Sequence, residues 1–572
     1  MGSTLEVFFT GKFFRIPNYQ RDYAWDIGNV DDLIDDIIEA IETSTSHYIG
    51  TFILSKTNEK ATYNVVDGQQ RLTTLIMLFN VAIKELGTDK GNIIYDDKFI
   101  KSHTDNKWRL RLLNDNNDFF QQMLAGETPK VQTKSQQLLW AAYDTIRARV
   151  RELKSDPTIS SQFIDTIKLL NVMEFTESDD GKAIRMFQTV NDRGKPLSNV
   201  EKAKSLLVYY SNRFLKGELD DYINEQFGQI FHFFTEIKTI GEQNAIDVIS
   251  SRRFSEDSIM RYHFLAFAKD SYDLNATESY VLDNYLKLTL KPLRGNEDSL
   301  RAYINEYVTD LRTFFESFVR LLRRVPSDKK YYKLFSILGL SARLYPLLIR
   351  LETRNLLDPP EAISGKLSLI DIIEIADVRV YKVRGRDLRA DVSYLARDAK
   401  NCSLDHIKQK LFNFINYFMS DSAFAKKLKD PYIYPNVALK HIFIEYSESF
   451  LERSYSLNEL IGFNKSVPTV EHIFPREATF RFPNFGFSSI AEYSDINHVL
   501  GNLTLLEKSI NSQCRNKTPS QKISDGLYGK SSFGDPKKIS AHSMNRGSAF
   551  TKRDVDERTK KLAEFCMTRW RI

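Results

Sequence analysis

The segment Val470-Glu-His-Ile-Phe-Pro475 sets an acid and a histidine side by side in a short β-branched run closed by proline. An imidazole can take a proton near neutral pH and a carboxylate is a hard oxygen ligand. The pair therefore supplies two parts needed to hydrolyse a phosphodiester: a base for water, and a ligand for a divalent cation that offsets charge on phosphorus. Oxygen ligands favour magnesium or manganese. Neighbouring side chains of a strand face opposite ways, so Glu471 and His472 serve one metal site only at a strand end or bend, for which Pro475 gives a reason. Downstream, Ile496-Asn-His-Val-Leu-Gly-Asn502 reads as a turn entering a strand, and Asn511 follows as a helix begins. His498 beside that turn is more often a satisfied structural residue than a phosphate contact. Lys508, Arg515, Lys517 and Lys522 trail behind, either as a grip on a nucleic-acid backbone or as a solvated helix face.

A second constellation lies near the N-terminus. Tyr63-Asn-Val-Val66, then Asp67-Gly-Gln-Gln-Arg71, then Leu72-Thr-Thr-Leu-Ile-Met-Leu reads as strand, tight turn and amphipathic helix. Glycine at such a junction lets backbone amides approach an anion, and the helix start with Arg71 adds positive potential for phosphate. The alternative is a plain β-α turn. Upstream, Ile16-Pro-Asn-Tyr-Gln-Arg21-Asp-Tyr-Ala-Trp25 carries Tyr19, Tyr23 and Trp25, whose ring faces can stack on an extruded or modified base, although packing is the commoner role of each. Arg252-Arg253, Arg323-Arg324 with Lys329-Lys330, and Arg379 to Arg389 are either a DNA track or solvated faces.

The elements that must position these residues follow from hydrophobic period. From Val7 to Leu86 strand-like segments (Tyr48 to Leu54, Tyr63 to Val66) alternate with helical ones (Val30 to Ile41, Leu72 to Leu86), the pattern of an α/β unit. Helices dominate from Val131 to Phe214, where Ser198-Asn-Val-Glu201 offers a capping box, and long amphipathic helices fill Gln226 to Ile375. After Pro468 the order is short strand, long Phe/Gly/Ser loop, short strand, helix. The expectation is a mostly helical α+β chain in three parts, 1–220, 221–395 and 396–572. With 80 basic against 75 acidic residues and a net charge of +5, any polyanion site must come from local clustering. Three scattered cysteines argue against a disulfide framework or thiolate zinc. The opening residues lack a signal-peptide pattern and no apolar run reaches membrane-spanning length, so a cytoplasmic protein without membrane association is expected.

The order acid-His, Asn, Asn resembles the HNH or ββα-metal nucleases. Val470-Glu-His-Ile-Phe-Pro475 also looks like the corresponding stretch of RNA-guided nucleases. The closest similarity is to the C-terminal nuclease domain of modification-dependent restriction enzymes of the GmrSD, BrxU and SspE kind. Asp67-Gly-Gln-Gln-Arg71, with Ile16 to Trp25 and Asn191-Asp-Arg-Gly-Lys-Pro-Leu197, resembles the N-terminal domain of the same enzymes. That domain is related to the ParB and sulfiredoxin fold and in the family binds and hydrolyses nucleoside triphosphates. The resemblance implies His472 as general base, Glu471 and Asn511 reaching magnesium or manganese directly or through water, and Asn502 holding the loop or orienting His472. It implies a nucleotide (GTP, ATP or CTP) at Asp67-Gly68-Gln69-Gln70-Arg71. There Arg71 binds phosphate, Gln69 and Gln70 hold phosphate or a water, and Asp67 holds a metal or orients that water. Arg21, Asn191, Arg193 and Lys195 complete the pocket or touch DNA. The final metal position is Asn511 rather than the histidine of the commonest HNH pattern. The expected protein is a nucleotide-dependent defence endonuclease acting on modified DNA, with a homodimer left open. The rival is a nucleotide-gated ParB-like DNA clamp without cleavage; a nucleotide-dependent toxin acting on host RNA is a third reading.

Overall fold

A computed structural model describes residues 2–17, 20–87, 89–178, 183, 198–269, 273–358, 367–385, 390–546 and 549–572. The chain is α+β and mostly helical. It divides into two compact units. The first comprises 1–239, 255–260 and 276–316; the second comprises 240–254, 261–275 and 317–572. The segment expected to form a separate middle part thus gives residues to both. No helix among the described residues is long and apolar enough to cross a membrane.

The first unit is built on one mixed sheet. Its strands are β1 (Gly2–Thr4), β2 (Phe13–Arg15), β3 (Tyr48–Lys56), β4 (Thr62–Asp67), β7 (Leu110–Arg111) and β8 (Asn171–Glu177), in the order β1-β8-β3-β4-β2-β7. A separate two-stranded ribbon pairs β5 (Lys101–Ser102) with β6 (Lys107–Trp108). β3 and β4 are antiparallel, with Ile53 opposite Asp67, whereas β2 lies parallel to β4 and β3 parallel to β8. The helix Gln69–Leu86 leaves β4 directly. Leu72, Leu75, Ile76, Met77, Leu78 and Phe79 are all buried, as are Thr73, Thr74 and Asn80, so the helix is buried around its circumference and runs through the core rather than over it. Against it pack the helices Asp89–Phe99, Lys134–Glu152 and Pro157–Leu169, and the helix Ile27–Glu42 packs on the last two. The capping box expected at Ser198 starts the helix Asn199–Phe214. Asp257 accepts from the backbone N–H groups of Asn199 and Val200, completing that helix's N-terminus.

The second unit surrounds a short antiparallel pair, β9 (Thr469–His472) and β10 (Leu503–Leu506), in which His472 lies opposite Leu503 and Thr469 opposite Leu506. The helix Lys508–Cys514 follows β10. Ile473, Phe474, Phe487, Tyr493, Leu506, Tyr528 and Phe550 form the core beneath it, so the aromatic loop after Pro475 is packed down rather than free. The helix Lys552–Arg569 covers the turn Leu500–Asn502 so closely that a Cβ at Gly501 would lie 2.1 Å from the Val555 carbonyl oxygen. Only glycine fits there. Arg558 from this helix donates to the carbonyls of Gly501 and Leu503 and pairs with Asp535, which also accepts from Thr504 Oγ1 at 2.6 Å.

Candidate active sites

β9 ends at His472, and the strand's alternation separates the two chemical residues. Glu471 is buried, and its Oε1 lies 2.7 Å from Lys522 Nζ. Burial raises the Glu471 carboxyl, and the Lys522 ammonium counters that rise. Lys522 is fully buried; it also donates to the backbone oxygens of His472 (2.6 Å) and Ile473 (3.0 Å). This corrects its reading as a backbone grip: it is an internal brace on the strand end. Lys517 pairs with Asp525 at 2.7 Å, and Arg515 sits exposed at φ +42° just past the helix Lys508–Cys514.

His472 meets a different set of residues. Its Nε2 is 3.1 Å from Nδ1 of His498. The Tyr434 ring stands edge-on to His472 (centroids 4.7 Å, 71°) and stacks on His498 (5.5 Å, 13°). Arg476 donates to Tyr434 Oη at 2.6 Å, with its guanidinium 4.9 Å from the ring centre. Burial first, then the nearby positive charge of Arg476, holds His472 neutral with its pKa pushed down to about 3. His498, expected more often as a satisfied structural residue than as a phosphate contact, bonds the His472 ring, and Tyr434 and Arg476 beside it carry no motif. The only signal for His498 was its place four residues before Asn502, and a tyrosine thirty-eight residues upstream of His472 carries none.

Asn502 does not face the imidazole. Fully buried, it accepts from the Phe474 N–H at 2.8 Å and donates to Phe474 O (3.1 Å) and Asn497 O (2.9 Å). One carboxamide thereby ties the segment after His472 to the segment before His498. Asn511 donates through Nδ2 to Thr469 Oγ1 (2.8 Å) and Val470 O (3.3 Å), which anchors its helix to the start of β9. Among the described residues no three His, Cys, Asp or Glu side chains gather into a metal cage. The oxygen donors on offer are the Glu471 carboxylate and the Asn511 carboxamide. By type such donors suit magnesium or manganese.

In the first unit the Asp67 to Arg71 turn is set by Gly68, at φ +88°, where a Cβ would fall 2.5 Å from the Phe52 ring. Asp67 Oδ1 accepts from the Gly68 N–H at 2.7 Å; burial raises its carboxyl, opposed by that bond and by Arg71. Arg71 packs over Gly50, where a Cβ would be 2.4 Å from its guanidinium, lies 5.6 Å from the Phe52 ring centre, and donates to Thr51 O at 3.3 Å. Gln70 turns the other way, accepting from the Ala24 N–H (2.7 Å) and donating to Asp22 O (3.1 Å), so it staples the Arg21 to Trp25 segment to this helix. Gln69 is buried and lines a small cavity with Arg21, Asp22, Gln70 and Asn116. Arg21 Nε is 3.8 Å from Glu201. Tyr23 is buried and bonded to Thr74 at 2.8 Å, which leaves its ring no face for stacking, and Trp25 packs half-buried against the core. Tyr19, Asn191, Arg193 and Lys195 lie outside the described residues. Asp22, which no motif argument singled out, accepts from Asn116 (2.8 Å) and Thr235 (3.3 Å), and burial raises its carboxyl.

Several basic clusters resolve into internal ion pairs of the second unit. Arg324 holds Glu352, Lys330 holds Asp371, Lys329 holds Glu448, and Arg379, fully buried, holds Asp421.

Residues 5–208 match the family model for the GmrSD restriction endonuclease N-terminal domain, and residues 418–565 match that for the GmrSD restriction endonucleases C-terminal domain. No curated protein matches the chain. The first match contains the Asp67 to Arg71 turn and the second contains β9, β10 and the histidine pair, in the same order along the chain. Together they span more than half of its residues, and the chain belongs to the GmrSD restriction endonucleases.

Proposed function

We propose that this chain is a nucleotide-dependent defence endonuclease that recognises modified foreign DNA and nicks or cleaves it by metal-assisted hydrolysis at a ββα-type HNH centre. The observation that carries this reading is the His472 ring at the end of β9, held against His498, with the asparagine clamp of Asn502 on the flanking segments and strand and helix following. His472 takes the proton of the attacking water; the water oxygen bonds to phosphorus while one phosphorus–oxygen ester bond breaks. A divalent cation held by Glu471 and Asn511 would supply Lewis-acid charge neutralisation at the phosphate. Asn502 holds the backbone that carries the base, and Lys522 braces the same strand end against Glu471. Arg515 and Lys517 lie in the turn that follows the helix Lys508–Cys514 and are the proposed contacts to the DNA backbone.

The first unit, by this reading a ParB-like domain, supplies the nucleotide dependence. Arg71 and the backbone amides that open the helix after Gly68 receive phosphate, Asp67, which holds the Gly68 N–H, stands beside them to orient water or a metal, and Arg21 closes the pocket. No acidic residue lies in the first turn of this helix, so its positive N-terminal end and Arg71 act together in favour of an anionic ligand.

The test is a cleavage panel of plain, methylcytosine, glucosylated-cytosine and phosphorothioate plasmid, with magnesium and GTP, ATP or CTP. His472→Ala should lower cleavage by about 10²- to 10⁴-fold, the usual worth of a general base, and leave nucleotide hydrolysis intact. Arg71→Ala should abolish nucleotide hydrolysis first. Chelation by EDTA should stop cleavage and excess magnesium restore it. A protein that binds DNA and hydrolyses nucleotide while cutting no member of the panel would be a clamp instead.

A further inference from the structure

The HNH pattern accounts for one histidine, yet two stand together. His472 Nε2 and His498 Nδ1 are 3.1 Å apart, and among the described residues no other hydrogen bond reaches either ring. The arrangement is fixed on every accessible side. Tyr434 stacks on His498 and stands edge-on to His472, and Arg476 ties down the Tyr434 hydroxyl. The backbone of Tyr432 pairs with that of His498, and Asn497 Nδ2 donates to Arg476 O at 2.5 Å. Asn502 then joins the two histidine-bearing segments through Phe474 and Asn497.

We propose that His498 is the positioning residue of the nuclease centre: its Nδ1 accepts from His472 Nε2–H and so fixes the tautomer in which His472 Nδ1 carries the lone pair that takes the proton from water. The inference rests on the nuclease reading above. A neutral imidazole has one N–H and one lone pair, so two rings at this distance share one proton in one of two ways. If His498 donated, His472 would spend its only lone pair on His498 and have no basic nitrogen left. If His472 donates, its Nδ1 stays basic and has no protein partner among the described residues. After the water proton arrives at Nδ1, His472 carries both N–H groups and its Nε2–H still rests on His498, so no proton passes to the second ring. His498 does for His472 what an acceptor on the far nitrogen does for other catalytic histidines: it selects tautomer and ring orientation.

The test uses the full chain labelled with ¹⁵N-histidine, His472 being assigned by the resonances lost in His472→Ala. Wild-type His472 should show the Nε2–H tautomer. His498→Phe keeps a ring under Tyr434 but removes the acceptor; it should mix the tautomers and lower kcat by about 10- to 100-fold, the usual cost of losing the partner that orients a functional histidine, with plasmid binding unchanged. His498→Asn places an acceptor where Nδ1 was and should recover most of the rate. Cleavage is read on whichever plasmid of the panel the wild type cuts best. An Nδ1–H tautomer in the wild type, full activity in His498→Phe, or His498→Asn as slow as His498→Phe would each overturn the proposal. Wild-type activity in His472→Ala would sink the nuclease reading instead, and the tautomer measurement stands whether or not any plasmid is cut.

Discussion

Burial gives the His472 ring at the end of β9 a pH dependence, and gives Lys522 packed against that end a need for a counter-charge. His472 in the folded chain is held near a pKa of about 3, well below the value of about 6.5 it has when unfolded. A depressed pKa means that the unfolded chain binds the proton first. The neutral ring therefore contributes stability that is complete above about pH 6.5 and is lost as pH falls from there toward 3, at up to about 1.4 kcal/mol per pH unit. His472→Asn should flatten the acid side of a melting-temperature profile between pH 6.5 and 4.5; an unchanged slope would mean that the ring is hydrated and titrates normally. The Lys522 ammonium is the buried counter-charge to Glu471, so Lys522→Met leaves a buried carboxylate unpaired and should cost about 3–5 kcal/mol, read as a loss of Tm, whereas the double change Glu471→Leu, Lys522→Met should recover much of it. Residue types and spacing singled out Glu471, His472, Asn502 and Asn511 in the sequence, and the structure gathers them around β9 and β10. Lys522, Tyr434 and His498 were not visible in those roles, because a lysine that braces carbonyls and a lysine that grips phosphate are the same letter, and burial decides between them.

At the scale of elements, both centres hang on glycines whose reasons are steric. Gly68→Ala meets a positive φ and the Phe52 ring together, and Gly501→Ala meets the backbone of the helix Lys552–Arg569, so neither neighbour can simply swing aside. We expect each to cost more than the roughly 1 kcal/mol of an ordinary glycine replacement, with Gly68→Ala reducing nucleotide hydrolysis and Gly501→Ala reducing cleavage and Tm together. Limited proteolysis around the altered turn would report the same local loss. The strands at Tyr48 to Leu54 and Tyr63 to Val66 and the capping box at Ser198 were legible from period and cap chemistry. The packing of the loop after Pro475 was not, because its phenylalanines follow no regular period: Phe480, Phe482, Phe485 and Phe487 join the core by tertiary contact alone.

Over the whole molecule, the residues proposed for nucleotide lie in one unit and those proposed for DNA hydrolysis in the other, while the polypeptide passes repeatedly from unit to unit. Fragments show what this entails. Residues 396–572 alone would keep His441, Glu445, Arg569 and Trp570 but lose Glu374 and Lys333, their buried partners. That fragment should fail to give a cooperative melt, whereas 240–572, which contains the entire second unit, should give one and bind magnesium-dependent nuclease substrate. Equal melts for the two fragments would show that the inner ion network is dispensable. The long helical stretch between the two motifs looked like scaffold in the sequence because amphipathic period says that a helix is buried on one side, never against which neighbour. The interlaced path has a consequence for any gene that encodes such a protein in two pieces: no single break point yields two self-sufficient products, so the pieces would have to be made together and assemble while still folding.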